Sequence, residues 1–213
     1  MKKSIFLFSV ALILSAYTLQ AQEQNSDNRD KLQLGIKGGL NFSNIYDTDG
    51  EEFDADGKFG FVGGVFLAIP IGKYLGIQPE VLYSQKGYKS TGSFLGTNYE
   101  MKRTTNFIDV PILLQVKPVE FVTLLAGPQY SFMLKRKDEF TGGSLSAVQE
   151  EDFKNDDLRN NILGVIGGAD FNFENLVLGV RAGWDLQNNF KDEPSTTPRY
   201  RNVWYQATIG FRF

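Results

Sequence analysis

The sequence predicts an all-β fold, an eight-stranded antiparallel up-and-down transmembrane β-barrel of outer-membrane type. Apolar and polar residues alternate with period two in about eight segments, which is typical of strands with one apolar and one polar face. Long, mostly acidic connections alternate with short ones, as in barrels whose two ends differ. The composition agrees, because 22 Gly, 18 Phe and 9 Tyr against 7 Pro in 213 residues suit strands and turns better than helices.

The N-terminal segment, residues 1–21, is expected to be a signal peptide. Lys2 and Lys3 precede an apolar run from Ile5 to Leu14, and the small residue Ala21 marks a plausible cleavage point. A membrane anchor is the alternative, but a spanning helix needs roughly 20 apolar residues and this run is shorter. Residues 22–31 are polar and aperiodic, so we expect a flexible lead-in before a barrel domain at 32–213. The mature chain is therefore expected to leave the cytoplasm.

The predicted strands differ in how clearly they alternate. The clearest segments are Leu32 to Phe42, Leu75 to Tyr88, Leu176 to Gln187 and Asn202 to Phe213. Asn106 to Val116 and Phe121 to Leu134 alternate more weakly, and Lys58 to Ile69 and Asn161 to Phe173 are apolar on both faces. Each segment is at least as long as the roughly 9–11 residues of a tilted membrane strand.

The connections assign the two ends of the barrel. The long connections are Ile45 to Gly57, Thr91 to Thr97, Asp138 to Asp157 and Asn189 to Pro198, and the short ones are Ile71 to Tyr74, Lys117 to Glu120 and Asn172 to Asn175. Four long loops on one side and three tight turns on the other leave both termini with the turns. Outer-membrane barrels have this layout, with short periplasmic turns and longer external loops.

A soluble ligand-binding barrel with its apolar face inside is the structural alternative. Two features of the faces favour the membrane barrel. Glycines concentrate on the polar face, where a cramped interior needs them, at Gly35, Gly39, Gly76, Gly179, Gly183 and Gly210. Aromatic residues lie towards strand ends on the apolar face, where a membrane barrel has its interfacial girdles, at Phe42, Phe59, Tyr83, Trp184, Tyr205, Phe211 and Phe213.

The composition also excludes several functions. Lys and Arg number 22 against 25 Asp and Glu, so the net charge of −3 argues against a nucleic-acid partner. Cys and His are absent, which removes disulfides, Cys/His zinc sites and every catalytic pair built on histidine. The acidic segment from Asp47 to Gly57 lacks the fixed spacing of an EF-hand and is expected to be a solvated loop. We therefore expect no enzyme, no cofactor and no metal site.

Several segments together resemble one family, the PorT-like outer-membrane β-barrel proteins of Bacteroidetes. The similar segments are Leu75–Gly87, Phe107–Leu114, Leu125–Ser131, Leu163–Asp170, Arg201–Val203 and Gly210–Phe213. The resemblance runs from about Leu32 to Phe213 and rests on the order and spacing of individually soft motifs. It implies the outer membrane of a Gram-negative bacterium, with outer-membrane lipid and lipopolysaccharide as surroundings. It also implies an accessory role in protein secretion, with envelope or secretion proteins as partners.

The candidate site is a network of charges inside the lumen. The parity of the strands turns four residues of each sign inward: Lys37, Lys86, Arg181 and Arg212 with Glu80, Asp109, Asp170 and Asp185. An eight-stranded barrel is just wide enough for side chains to fill, so these charges are expected to pair, with Glu80 and Arg181 at the centre. In the segment Asp109 to Pro111, the proline predicts a bulge or bend.

Two functions remain open for such a lumen. A plug of ion pairs predicts a structural barrel, or one accessory to envelope assembly or protein secretion. A rearranging network predicts a small porin-like channel for ions or small solutes.

Overall fold

A computed structural model describes residues 29–46, 55–94, 97–142, 145–152, 161–188 and 200–213. The predicted signal peptide, most of the lead-in and the predicted loop from Asn189 to Pro198 lie outside these residues. Within the described ranges, no helix is long and apolar enough to cross a membrane.

Nine antiparallel strands make up the described chain. They are β1 (Gln33–Tyr46), β2 (Asp56–Pro70), β3 (Leu75–Phe94), β4 (Thr97–Val119), β5 (Val122–Gly142), β6 (Leu145–Asp152), β7 (Asn161–Phe173), β8 (Leu176–Asp185) and β9 (Arg201–Arg212). Eight of them close a ring in the order β1-β2-β3-β4-β5-β7-β8-β9, with β9 pairing back onto β1. β6 is outside the ring and pairs with β5. The predicted eight-stranded up-and-down barrel is confirmed.

The apolar faces of the strands point outward. In β1 the side chains of Leu34, Ile36 and Leu40 are exposed, whereas Gln33, Lys37 and Asn41 are buried. Phe59 is 68% exposed on β2, where its ring lies 5.0 Å from the ring of Phe42. An exterior of this kind is stable in lipid and not in water, so the soluble barrel with an apolar interior is wrong.

The interior is as crowded as the glycine pattern predicts. A Cβ atom added to Gly183 would lie 2.3 Å from the Trp204 ring, and one added to Gly39 would lie 2.0 Å from the Ala207 carbonyl oxygen. Neither position has room for a side chain, because indole and backbone already occupy that space. Glycine therefore lets the neighbouring strands and large inward side chains approach closely.

Of the bulge or bend expected at Pro111, the bulge is absent. Val110 and Pro111 pair with Tyr130 and Gln129 in continuous register, and the β4–β5 register shifts instead between Asn106 and Phe107 and between Val116 and Val119. Asp109 therefore points into the lumen by ordinary strand alternation.

The end with the long connections contains more strand than the sequence predicts. β3 continues to Phe94, β5 continues to Gly142, and β6 occupies residues 145–152 of the predicted loop from Asp138 to Asp157. β3, β4, β5 and β6 pair side by side there, so four strands continue beyond the apolar band. Hairpin pairing satisfies the backbone of a polar segment that has few apolar residues to bury. At the other end, the short turns lie at residues 71–74, 120–121 and 174–175, close to their predicted positions.

Candidate functional site

Strand alternation turns a large set of polar side chains into the lumen. Seven of the eight residues predicted for the charge network are buried there, each at most 8% exposed: Lys37, Glu80, Lys86, Asp109, Asp170, Arg181 and Asp185. The eighth, Arg212, lies at the end that carries the short turns. Its guanidinium donates to Gln33 Oε1 at 2.9 Å and to the Glu174 carbonyl oxygen at 2.9 Å.

Four of these charges form a lower cluster, comprising Lys37, Glu80, Asp170 and Arg181. Lys37 Nζ lies 2.5 Å from Glu80 Oε2, and Arg181 NH1 lies 2.8 Å from the same oxygen. Arg181 NH2 also lies 3.2 Å from Asp170 Oδ2. Two positive and two negative groups therefore neutralise each other, which a buried charge requires.

The central ion pair of the lower cluster crosses the lumen. Glu80 is on β3 and Arg181 is on β8, and these strands are diametrically opposite in the eight-stranded ring. The pair connects the two walls at a level where the lumen is only as wide as two side chains.

Neutral groups separate the lower cluster from the charges above it. Asn41 Nδ2 donates to Ser84 Oγ at 3.1 Å, and Gln206 Nε2 donates to Asn41 Oδ1 at 3.1 Å. Apolar side chains also fill the interior, and Leu113, Leu125, Ile166 and Trp204 form one buried contact cluster. The lumen is thus packed with amides and hydrocarbon as well as with charge.

An upper cluster comprises Lys86, Asp109 and Asp185. Lys86 Nζ lies 3.2 Å from Asp109 Oδ1 and 3.8 Å from the centre of the Trp204 ring. Asp185 Oδ2 accepts hydrogen bonds from Asn202 Nδ2 at 2.5 Å and from the Asn202 backbone N–H at 3.3 Å. Asp185 Oδ1 is buried and has no hydrogen-bond partner among the described residues. The eight predicted residues therefore form two clusters and one separate arginine.

A third polar group lies above the membrane. Tyr88 and Arg103 are on β3 and β4, each five residues beyond the last large apolar outward residue, Tyr83 and Ile108 respectively. Arg103 Nε and NH2 each donate to the Asp138 carboxylate at 2.8 Å, and the Tyr88 and Tyr200 rings meet edge to face at 5.4 Å.

Burial and contacts change the acidity of this third group. Burial raises the pKa of the Tyr88 hydroxyl, and the adjacent Tyr200 hydroxyl raises it further. Burial alone would lower the pKa of Arg103, but Tyr200 and the hydrogen-bonded Asp138 outweigh it and raise that pKa. Tyr88 therefore stays neutral and Arg103 stays charged at any physiological pH.

Sequence reasoning missed Trp204, which is fully buried. Its position between the outward residues Val203 and Tyr205 is the signal that places it on the inward face. The polar face of the β3 segment includes Gln78 and Ser84, and both are buried. The Arg103–Asp138 pair had no such signal, because its position depends on strands that were predicted to end sooner.

The arrangement fills the barrel and neutralises the charges of its lower cluster. Within the described part of the chain, no three carboxylates cluster as a metal site would require. The partners of the charged side chains include other charged groups, amides, a hydroxyl and a backbone carbonyl oxygen. The Glu80–Arg181 pair among them joins opposite walls of the lumen.

Comparison with a protein-family model supports the same fold. The family model for the outer membrane protein beta-barrel domain matches residues 20–191. Similar solved structures include Ail, the attachment invasion locus protein of Yersinia pestis, with 16% identity over 85% of this chain and 98% of that one and a TM-score of 0.43. Neisserial surface protein A has 16% identity over 85% and 97%, with a TM-score of 0.41.

OprG from Pseudomonas aeruginosa has 13% identity over 85% of this chain and 95% of that one, with a TM-score of 0.42. No curated protein matches the sequence. The family model covers most of the chain, and the eight-stranded ring with its apolar exterior is the architecture of an outer-membrane β-barrel domain. The chain belongs to the family of outer membrane protein β-barrel domains.

Proposed function

We propose that this protein is a non-enzymatic outer-membrane barrel with a closed lumen, structural or accessory to envelope assembly or protein secretion, as its PorT-like segments imply. The lower cluster is the observation that carries the proposal. Glu80 and Arg181 bridge the two walls of the barrel, and Lys37 and Asp170 complete a neutral set. Opening a path through this level requires separating buried opposite charges, which costs several kcal/mol. The barrel therefore acts through its extramembrane parts.

The proposal includes a route and a set of partners. A signal peptide at residues 1–21 is cleaved during export, and the barrel then inserts into the outer membrane of a Gram-negative bacterium. Outer-membrane lipid and lipopolysaccharide surround its apolar wall. Envelope or secretion proteins contact its extramembrane parts, and no nucleic acid is involved.

A small channel for ions or small solutes is the second candidate. It is favoured by unpartnered polar atoms in the upper lumen. Asp185 Oδ1, Trp204 Nε1 and Gln206 Oε1 are buried without hydrogen-bond partners in the described part of the chain. Buried polar atoms of this kind are normally satisfied by water, so the upper lumen is the part suited to a hydrated path.

Ion conductance of the refolded mature chain in a planar lipid bilayer distinguishes the two candidates. A closed lumen predicts that the folded wild-type barrel stays electrically silent. Stable unitary current steps that change in Glu80→Gln or Arg181→Gln, but not in the control Arg212→Gln outside the cluster, would contradict the closed lumen and establish the channel.

The secretion role has its own test in the native bacterium. Deletion of the gene should cause exported proteins to accumulate in the periplasm, and the wild-type gene should restore their release. Unchanged export in the deletion strain would leave a structural barrel as the function.

A further inference from the structure

A cavity of about 520 Å³ opens at the end of the barrel that carries the short turns. That end faces the periplasm in outer-membrane barrels. Gln78 and Gln115 lie at its inner end, next to the lower cluster, and Phe66, Phe121 and Val177 supply apolar wall. Its volume is in the range of cavities that bind ligands.

The hydrogen bonds of the lower cluster fix the orientation of both amides. Gln78 Nε2 donates to Glu80 Oε1 at 2.6 Å, because an ionised carboxylate can only accept. Gln78 therefore offers its oxygen to Gln115, whose Nε2 donates to it at 2.5 Å. This amide relay, from Gln115 through Gln78 to Glu80, leaves Gln115 Oε1 as an acceptor with no partner among the described residues. The acceptor is buried, since Gln115 is only 3% exposed.

The same cavity contains an unused donor. Arg212 uses NH1 and NH2 for Gln33 and the Glu174 carbonyl oxygen, while its buried Nε–H has no acceptor in the described part of the chain. One free acceptor and one free donor thus line one cavity. A polypeptide backbone offers both complementary groups at every residue other than proline.

The charged residues of the cavity wall indicate an uncharged ligand. Three are positive and three are negative among the described lining residues: Arg29, Lys117, Arg212, Glu120, Asp170 and Glu174. Several already have partners, since Lys117 Nζ donates to the Arg29 carbonyl oxygen at 2.7 Å and Asp170 pairs with Arg181. A charged ligand would therefore meet a cavity wall that has no net charge of the opposite sign.

We infer that this periplasmic cavity binds an uncharged, extended segment of another polypeptide. A backbone N–H of that segment donates to Gln115 Oε1, a backbone carbonyl accepts from Arg212 Nε–H, and its side chains pack on Phe66 and Phe121. This inference rests on the proposed accessory function and names the class of partner that its periplasmic end receives.

Nuclear magnetic resonance of the mature barrel in lipid nanodiscs tests the inference. The probe is the capped peptide acetyl-alanyl-seryl-alanine amide, and the signals followed are the Gln115 side-chain amide and the Arg212 Nε–H. We expect both to shift saturably with peptide concentration. Gln115→Met, which removes the free acceptor, should weaken binding about fivefold to tenfold, the effect of one hydrogen bond.

Two controls make the test specific. Gln129→Met removes a buried amide that donates to Ser131 in the upper lumen, and it should bind the probe as the wild type does. An ester analogue of the probe that lacks every backbone N–H should bind at least as weakly to the wild type as the peptide binds to Gln115→Met. The electrophoretic mobility shift of folded barrels confirms that each variant is folded.

Three results would overturn the inference. No saturable shift up to about 10 mM peptide would mean that the cavity holds water only. Equal binding of peptide and ester, or unchanged binding to Gln115→Met, would mean that the amide relay does not recognise a backbone.

The peptide site and the closed lumen can fail separately. A barrel that conducts ions and still binds the probe would contradict the closed lumen and support the peptide site.

Discussion

The lower and upper clusters of the lumen differ in charge balance and in whether their ion pairs join opposite walls or neighbouring strands. The lower cluster has two cations for two carboxylates, and its Glu80–Arg181 pair connects opposite walls. The upper cluster has one cation, Lys86, for two carboxylates. Its ion pair with Asp109 joins the neighbouring strands β3 and β4, and Asp185 on β8 has hydrogen bonds only from Asn202 among the described residues.

This difference separates two uses of buried charge in one barrel. In the lower cluster, charges from β1, β3, β7 and β8 form a neutral set. Removing any member therefore leaves a buried charge without a compensating charge. In the upper cluster the excess negative charge is already uncompensated, and Asp185 Oδ1 is already unpartnered in the described part of the chain. The lower cluster should therefore contribute stability, while part of the upper cluster should oppose it.

The largest effect is expected from Arg181→Gln. The substitution leaves Glu80 and Asp170 with only the Lys37 ammonium, so a buried carboxylate loses its cation. Breaking a buried pair on one side costs about 3–5 kcal/mol. We expect a loss of that size in the free energy of unfolding, measured by urea titration in lipid vesicles with the fluorescence of Trp184 and Trp204.

Arg212→Gln is the matched control for Arg181→Gln. It removes the same side chain from the mouth of the barrel, where the partners are a neutral amide and a carbonyl oxygen. A loss of about 1 kcal/mol is expected from such hydrogen bonds. Equal losses in the two variants would contradict the idea that the lower cluster depends on charge balance.

A smaller and more direct contrast is expected between Asp170→Asn and Asp185→Asn. Asp170→Asn leaves two cations for one carboxylate in the lower cluster and should cost about 1–3 kcal/mol. Asp185→Asn removes the excess charge of the upper cluster, and its remaining oxygen can accept the bonds from Asn202. Asp185→Asn should therefore be neutral or slightly stabilising in the same urea titration.

The two substitutions make identical chemical changes, so differences in the unfolded chain largely cancel. If Asp185→Asn destabilised the barrel as much as Asp170→Asn, then Asp185 would be paired by Lys86 and the two clusters would not differ in balance.

Strand parity explains why the interior was predictable from sequence. Alternation assigned Glu80 and Arg181 inward, because each is in the middle of a clearly alternating strand. The same parity places Trp204 inward, but Trp204 was not predicted there, because its apolar character groups it with the aromatic residues expected in the wall. Periodicity of two fixes the face of a residue and requires no long-range information.

Height along the barrel axis was not predictable in the same way. Lys86 and Asp170 carry opposite charges and both point inward, yet they belong to different clusters. Their levels depend on the stagger between strands and on register shifts such as the one between β4 and β5 at Asn106 and Phe107, which a single strand does not encode. The Arg103–Asp138 pair depends on the same register, continued above the membrane.

The smallest expected effect concerns Tyr88, in the third polar group above the membrane, and extends the comparison from the two clusters to that group. The raised pKa of Tyr88 keeps its hydroxyl protonated in the folded barrel at a pH where the unfolded chain releases that proton, near pH 10. The unfolded state then binds fewer protons, so stability falls as pH rises above about 10. Tyr88→Phe should remove about 1 kcal/mol of the loss between pH 10 and pH 11, measured by urea titration at each pH.

The prediction for Tyr88→Phe has a second readout that does not depend on unfolding. The part of the tyrosinate absorbance that rises only at strongly alkaline pH in the folded wild type should be smaller in Tyr88→Phe by one tyrosine. A wild-type slope retained in the variant, together with no loss from this late part of the titration, would assign the alkaline sensitivity to another group. Because Tyr88 adjoins the Arg103–Asp138 pair, that outcome would also mean that burial at this level is too shallow to hold a neutral hydroxyl. The buried part of the lumen would then end at the upper cluster.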